Sequence, residues 1–450
     1  MTFVEPALWD HQKLGVQKML EHLSFSLFFE QGTGKTLTTI TALRHLFTKE
    51  KRALKTLILC PQIVIKNWES EFQRFSKMGD LVQPLVGKRQ QRIALLEDPQ
   101  KKIFVTNFEA LDMEDLFWFR KPGKKTKLAR ALGFEVLIVD ESHRFKDGKA
   151  ERTKVGIKMA DKIPRVHLLT GTPILNGPMD IWSQYRILDA GATFGENFIA
   201  FRSEYFVDKN AGKPAPVYFP DWRPKPGIEE ELNEKMYKKA MRVLKSECLD
   251  LPPLVAKRVS VGLSSEQEKH YESMLKDYIT TIKDKACTAQ IALTRALRLM
   301  QITSGFLVFE DGTEKPLADN PRLDALEELL RDICPAEKVI VWATFKNNYK
   351  DIQKLCDKLK LKYAMLTGEQ SAKEKQASVE ALKGDINVLI ANPAAGGTGV
   401  NLVEASTAIF YSRNFDLGQR LQAQARNYRG GSDVHAKITQ IDLVTEGTID

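Results

Sequence analysis

Cysteine is scarce in this chain. Five residues among 450 (Cys60, Cys248, Cys287, Cys334 and Cys356) lie scattered, with no C-x-x-C pair. That spacing supports neither a disulfide framework nor a zinc site, and it fits a reducing, intracellular compartment. Long apolar runs are missing as well. No stretch approaches the roughly 20 residues that span a bilayer, so no membrane partner is expected. Met1 to Asp10 lacks the basic start and apolar core of a signal peptide. There is no short repeat and no low-complexity tract. Acidic residues are in deficit: 58 Asp plus Glu stand against 67 Lys plus Arg, a formal charge of +9. The excess suits a polyanionic partner, although a basic soluble surface accounts for it equally well.

What is present is the composition of a soluble globular protein, 43% hydrophobic and 28% charged. The length suits two or three domains. Strand-like runs alternate with amphipathic stretches in two blocks. The first has runs at Leu27–Glu30, Thr56–Pro61, Ile103–Asn107, Val136–Glu141 and Val166–Thr170. The second has them at Lys338–Thr344, Tyr363–Leu366, Asn387–Ala391, Ala408–Tyr411 and Ile438–Val444. Such alternation predicts parallel sheets with helices on both faces. Ile181 to Gly305 reads as mostly helical, broken by Pro-rich turns at Lys213–Pro216 and Arg223–Pro226. Leu251-Pro252-Pro253 marks the crossing between the halves. The expected domains are 1–190, a helical region 191–317 spanning a junction near 251–256, and 318–450.

Within the middle, Glu229 to Glu247 predicts one helix. Its apolar face is Leu232, Met236, Ala240, Val243 and Leu244, and Lys235, Lys238, Lys239 and Arg242 form a basic stripe. An ordinary solvated face is favoured over a DNA-backbone contact. The basic run Arg120 to Lys127 reads as a surface loop on the same grounds.

Two motifs carry the chemistry. Gly32-Thr33-Gly34-Lys35-Thr36 follows an apolar run and opens a helix-compatible stretch, Leu37 to Phe47. A strand, a Gly-rich loop and a helix in that order wrap phosphates in backbone N–H groups. Asp140-Glu141-Ser142-His143 closes another apolar run, so its carboxylates sit at a strand's C-terminal end. There Asp140 can hold Mg²⁺ and Glu141 can orient water. Together they imply a site that hydrolyses a nucleoside triphosphate. Further motifs follow in order. Thr170-Gly171-Thr172-Pro173 offers hydroxyls that can link the metal site to neighbouring loops. Asn392 to Asn401 is a Gly-rich turn after a strand. Arg426 and Arg429, three apart, fall on one helix face, and planar guanidinium groups suit a triphosphate being cleaved.

This set, in this order and over nearly the whole chain, resembles the Swi/Snf-like family of superfamily 2 helicases, in a minimal form without accessory domains. Trp9 to Gly15 is similar to that family's first motif, Thr56–Pro61 with Asn67-Trp68 to its second, and Val105 to Glu109 to its next. Asp140 to His143 followed by Arg144-Phe145-Lys146 resembles the acidic box, and Thr170–Pro173 with Asn176 the motif after it. About 165 residues separate Pro173 from Lys338, room for the family's helical insertions. There are departures. Ser142 replaces the usual Ala or Cys, a small-for-small change expected to be neutral. Phe29 stands where the family usually has Asp, which predicts a tighter or more apolar entry to the loop without loss of ATP binding. In relatives the region of Gly447 to Asp450 begins a bracing helix, so the chain is either minimal or cut short.

The resemblance implies two RecA-like parallel-sheet α/β domains with helical insertions between them, an ATP hydrolase using ATP and Mg²⁺, and an intracellular, DNA-associated monomer. It implies that Gln12 contacts adenine. Gly32, Thr33, Gly34 and Lys35 would cradle phosphates, and Thr36 with Asp140 would hold Mg²⁺. Gly399, Arg426 and Arg429 would reach the nucleotide from the second domain across a cleft. His143, Thr170, Thr172 and Gln422, with the turn 397–401, would couple the sites. Lys66, Asn67, Thr106, Asn107, Lys346, Asn347, Gly396 and Gly397 would contact nucleic acid, mainly its backbone. The favoured function is duplex-DNA translocation with nucleic-acid-stimulated ATPase activity. A strand-separating DNA or RNA helicase is the alternative, and it needs a wedge such as a β-hairpin, which the sequence does not reveal. An ATP-gated clamp or recruitment module is the third reading.

Overall fold

The computed structural model describes residues 5–450 except 114, 121–126, 130–131, 176, 214–219, 249, 284–288, 310 and 397–399. Cys287, Asn176, Gly397 and Gly399 therefore lie outside the described residues, as do most of the basic run after Arg120 and of the turn 397–401. The chain folds into two units, Met1–Leu249 and Asp250–Asp450. Residues 191–249 belong to the first and 250–317 to the second, so the middle region forms no body of its own. Among the described residues no helix is long and apolar enough to cross a membrane.

The first unit is built on a seven-stranded parallel sheet. Counting only strands of the two large sheets, these are β1 (Ser24–Phe29), β2 (Thr56–Cys60), β3 (Val82–Pro84), β4 (Ile103–Asn107), β5 (Val136–Asp140), β6 (Arg165–Leu169) and β7 (Ala240–Val243). Their order across the sheet is β7-β1-β6-β5-β2-β4-β3. The central strands read as unbroken apolar runs because both faces are covered. Alternate side chains go to opposite cores. Phe28, Leu57, Leu59, Phe104, Leu137 and Val139 pack on one face. Leu27, Phe29, Ile58, Val105, Val136 and Ile138 pack on the other.

The second unit repeats the plan with six parallel strands. They are β8 (Leu254–Val261), β9 (Val339–Trp342), β10 (Tyr363–Leu366), β11 (Val388–Ala391), β12 (Thr407–Phe410) and β13 (Ile438–Thr445), in the order β8-β13-β12-β9-β11-β10. Again the cores divide by parity. Val339, Val341, Val388, Ile390 and Ile409 face one side, and Ile340, Trp342, Leu389, Ala391 and Ala408 the other.

Three expectations are corrected. The helix over Glu229–Glu247 ends at Tyr237, and Ala240–Val243 instead forms β7. The open edge of β1 wins, because Ser26 N–H donates to the Lys239 carbonyl (2.8 Å) and Glu30 N–H to that of Val243 (2.9 Å). Spacing of 3.6 could not register a neighbouring edge with unpaired donors. The basic stripe dissolves with the helix. Lys235 pairs with Glu231 (2.7 Å), Lys238 with Glu234 (3.0 Å) and Lys239 with Asp189 (2.9 Å). Second, the middle is less helical than its pattern, since it supplies an edge strand to each sheet, β7 and β8. The side chains of β8 are largely exposed, so no buried face marks it in the sequence; it is held by register with β13 from Leu254↔Ile438 to Val261↔Thr445. Third, hairpin-like antiparallel pairs do exist. Trp118–Arg120 pairs with Lys127–Ala129, Phe206–Asp208 with Trp222–Pro224, and Phe306–Val308 with Glu314–Pro316.

Candidate nucleotide-hydrolysis site

Three loops leave the C-terminal ends of three adjacent strands, β1, β6 and β5. This is the edge of a parallel sheet where ligands bind. The loop after β1 carries Gly32 to Thr36 and leads into the 16-residue helix Lys35–Glu50. Gly32 and Gly34 both have φ of +88°. At Gly34 a Cβ would stand 2.1 Å from Gln12 Nε2, so only glycine fits. The helix N-terminus presents backbone N–H groups and the positive end of its dipole to this loop. Thr33 is buried, its hydroxyl donating to the Glu30 carbonyl at 2.7 Å. Lys35 Nζ donates to the Phe29 carbonyl at 2.9 Å. Thr36 lies in the first turn of the helix. Phe29 is fully buried and meets the His11 ring edge-on at 5.4 Å, so the approach to the loop is apolar.

The loop after β5 carries the carboxylates. Asp140 is 7% exposed, and the Trp68 indole N–H donates to its Oδ2 at 3.0 Å. Burial first, then the neighbouring Glu141, pushes the Asp140 carboxyl up to about 7, against the pull of Lys35 and the Trp68 bond. Glu141 takes a left-handed backbone, φ 58° and ψ 52°. A non-glycine residue there costs on the order of 1–3 kcal/mol and persists only where its surroundings enforce it. Its Oε2 is buried without a hydrogen bond, 3.4 Å from His143 Nδ1. A buried and a half-buried carboxylate beside a lysine and a helix N-terminus make a set of hard oxygen donors. It fits Mg²⁺ brought in with phosphate oxygens, which needs only one or two protein ligands. Among the described residues no group of three or more His, Cys, Asp or Glu could hold a metal alone.

The loop after β6 joins the other two. His143 Nδ1 lies 3.1 Å from Thr170 Oγ1, and the same oxygen accepts the Thr172 N–H at 3.1 Å. The structure thus brings His143, Thr170 and Thr172 into one hydrogen-bonded chain. At Gly171 a Cβ would stand 3.2 Å from the Phe29 carbonyl oxygen and 3.3 Å from Gln31 N, so this loop lies against the start of the phosphate loop. Ser142 corrects an expectation. Its hydroxyl donates to Gln184 Oε1 at 2.8 Å, and Gln184 Nε2 donates to the Pro173 carbonyl at 2.6 Å. Alanine could not make that bond.

Other candidates fall differently. Gln12 has both polar ends engaged, accepting from Trp9 N–H (3.0 Å) and donating to the Thr33 carbonyl (3.1 Å). Here it braces the phosphate loop. Thr106 is fully buried between the Leu85 carbonyl and the Arg92 guanidinium, and Asn107 Oδ1 accepts from Arg92 at 2.7 Å. Lys66 is exposed, and Asn67 bonds Glu71 at 2.9 Å. Sequence reasoning gave Trp68, Arg92 and Gln184 no role at the site; each is a buried polar side chain whose partner is distant in sequence.

In the second unit, loops leave the ends of adjacent strands β11, β9 and β12. Asn392 Nδ2 donates to the Tyr349 hydroxyl (2.6 Å), and the Ser412 hydroxyl donates to Asn348 Oδ1 (2.9 Å). Lys346 is exposed and paired with Glu369; Asn347 is half-buried, and Gly396 ends the short helix Pro393–Gly396. Arg426 and Arg429 do not share a helix face, because the helix Leu417–Gln424 ends before them. What unites them is one acceptor: Arg426 Nη1 and Arg429 Nη1 both donate to the Val400 carbonyl, at 3.3 and 3.4 Å. Arg426 Nε also donates to the carbonyl of Gln422, which is buried.

Residues 11–304 match the SNF2-related domain and residues 321–431 the helicase conserved C-terminal domain. A putative protein of Acyrthosiphon pisum secondary endosymbiont phage 1 is 26% identical over 92% of this chain and 86% of its own length. An uncharacterized ATP-dependent helicase of Mycoplasma genitalium is 25% identical over 98% of the chain, and chromodomain-helicase-DNA-binding protein 1-like of Danio rerio 23% over 92%. The chain spans only 40% and 39% of those two relatives. Among solved structures, the SWI2/SNF2 ATPase core of Sulfolobus solfataricus in complex with dsDNA is similar, with 22% identity, a TM-score of 0.46 and coverage of 100% of this chain and 91% of that one.

Proposed function

From the premise that this chain belongs to the SNF2-related family and is an ATP hydrolase of the superfamily 2 helicase type, we propose that it is an ATP-dependent double-stranded DNA translocase. Its hydrolysis is stimulated by nucleic acid and drives movement along, or remodelling of, the duplex. The observation that carries this reading is the junction of phosphate loop, acidic box and Thr170–Pro173 loop at three neighbouring strand ends, the last two hydrogen-bonded through His143 and Thr170 and the first lying against Gly171. Hydrolysis alone needs the first two; the third is the element a motor requires to pass the nucleotide state onward.

In this reading Lys35 holds the terminal phosphates, and Glu141 orients or deprotonates the attacking water. Thr36 and Asp140 hold Mg²⁺, which supplies charge neutralisation to the phosphates when bound. Arg426 and Arg429 contribute transition-state charge from the second unit. Lys66, Asn67, Lys346 and Asn347 are the side chains offered to the nucleic-acid backbone, since a motor that moves along any sequence reads few base edges; Asn107, buried and bonded to Arg92 and Glu109, is withdrawn from that set. The net charge of +9 and the DNA-binding relative of Danio rerio support a DNA track. Binding to phosphates predicts a steep fall of affinity with salt.

The test is ATP-driven displacement of a third strand from a triplex, run beside displacement of one strand from a duplex. Removal of the third strand with the duplex intact is the expected result. Separation of the duplex would favour the helicase reading, for which the pair Trp118–Arg120 and Lys127–Ala129 is the hairpin to delete. Hydrolysis with neither movement would leave an ATP-gated clamp.

A further inference from the structure

Ser142 and Gln184 form a buried polar link that hydrolysis chemistry does not by itself require. Both side chains are fully shielded from solvent. The direction of each bond follows from the donor inventory. Gln184 Nε2 donates to two carbonyls, those of Pro173 (2.6 Å) and Asp180 (3.0 Å), which leaves Oε1 as the acceptor for the Ser142 hydroxyl at 2.8 Å. Asp180 in turn accepts the Leu175 N–H through Oδ2 at 3.1 Å. The helix Asp180–Asp189 therefore grips the 173–175 backbone and the acidic box at once.

The neighbour of Ser142 is Glu141, whose left-handed backbone must be held by what surrounds it. On its C-terminal side two anchors act. His143 reaches Thr170, and Ser142 reaches Pro173 through Gln184. They fix the same loop at both ends, and Gly171 between them lies against the phosphate loop. We infer that Ser142 and Gln184 are positioning residues that hold Glu141 in register with the Thr170–Pro173 loop, so that turnover and its stimulation by duplex DNA depend on the pair while nucleotide binding does not. This rests on the translocase reading for its second half only.

The test compares wild type with Ser142→Ala/Gln184→Leu, Ser142→Ala and Ser142→Thr, reading kcat and KM for ATP with and without duplex DNA, and the thermal midpoint. The double variant strands neither end of the Ser142–Gln184 bond, but it takes the amide donor from the Pro173 and Asp180 carbonyls, so it is expected to fold and to melt somewhat below wild type. Its stimulated kcat is expected to fall about tenfold, with KM changed less than about twofold, because a misplaced catalytic group costs rate rather than binding. Ser142→Thr, which keeps the hydroxyl, restores most of the stimulated rate. A folded double variant with wild-type kcat in both conditions would show a pair that only packs, and overturn the inference. Should the double variant melt early, a folded Ser142→Ala with wild-type turnover overturns it equally. If wild type itself is not stimulated by duplex DNA, the translocase reading fails, and the basal kcat of the same variants still decides the role of the pair.

Discussion

The two units share one architectural plan and put opposite chemistry on it. Each is a parallel sheet whose cores divide by strand parity, and each gathers loops at the ends of three adjacent strands. In the first unit those ends carry two carboxylates, the buried Asp140 and the half-buried Glu141, beside a lysine and a helix N-terminus. In the second they carry neutral groups, Asn392, Tyr349, Asn348 and Ser412, already bonded to one another, and two arginines tethered to the Val400 carbonyl. The acidic pair is confined to the first unit, and the two arginines are held within the second. A repeated fold thus says where loops gather, and only the side chains say what chemistry each copy can carry.

The comparison can be broken from either side. On the proposed role of an arginine finger, Arg429→Ala should slow ATP turnover by about 10³-fold or more while leaving nucleotide binding largely intact. Steady-state kinetics beside a binding titration measures this, and near-normal turnover would take the second unit out of the chemistry. Glu141→Gln keeps the shape and removes the base, so a loss of about 10²–10⁴-fold in kcat is expected. If KM alone rose, Glu141 would be a binding group.

Arg322 sharpens the contrast in a different currency, stability. It is 2% exposed and pairs with Asp450, while donating to the Tyr411 carbonyl (3.1 Å) and Thr445 Oγ1 (2.6 Å). Removing one partner strands a buried carboxylate, so Arg322→Ala should destabilise the second unit by about 3–5 kcal/mol in denaturant unfolding. The smallest effect belongs to the lost basic stripe. Lys238 is exposed and paired to Glu234 one helical turn away, so Lys238→Ala should change stability by less than about 1 kcal/mol and leave DNA affinity nearly unchanged. A marked loss of affinity would restore the stripe as a contact.

Legibility followed physical cause. Strands buried on both faces announce themselves, because most positions must be apolar; Ile103–Asn107 falls where its run does, and most others shift by a residue or two. The edge strands from the middle region do not, since β7 borrows its hydrogen bonds from β1 and β8 from β13, neighbours that no local pattern can show, although the edge strand β10 was legible at Tyr363–Leu366. The loops of the nucleotide site were legible from glycines and carboxylates at strand ends. Their supports were not. Trp68 meets Asp140 across 72 residues and Ser142 meets Gln184 across 42. A substitution judged by size alone therefore looked neutral where the structure gives it a partner. Arg426 and Arg429 were legible as a pair, but for the wrong reason: a shared carbonyl unites them rather than a helix face.

The most direct test of the central claim is steady-state ATP hydrolysis without nucleic acid and with single-stranded DNA, duplex DNA or RNA, with Lys35→Ala as the inactive control. Strong stimulation by duplex DNA is the predicted result. Stimulation chiefly by single strands or RNA, or a rate that none of them changes, would contradict it.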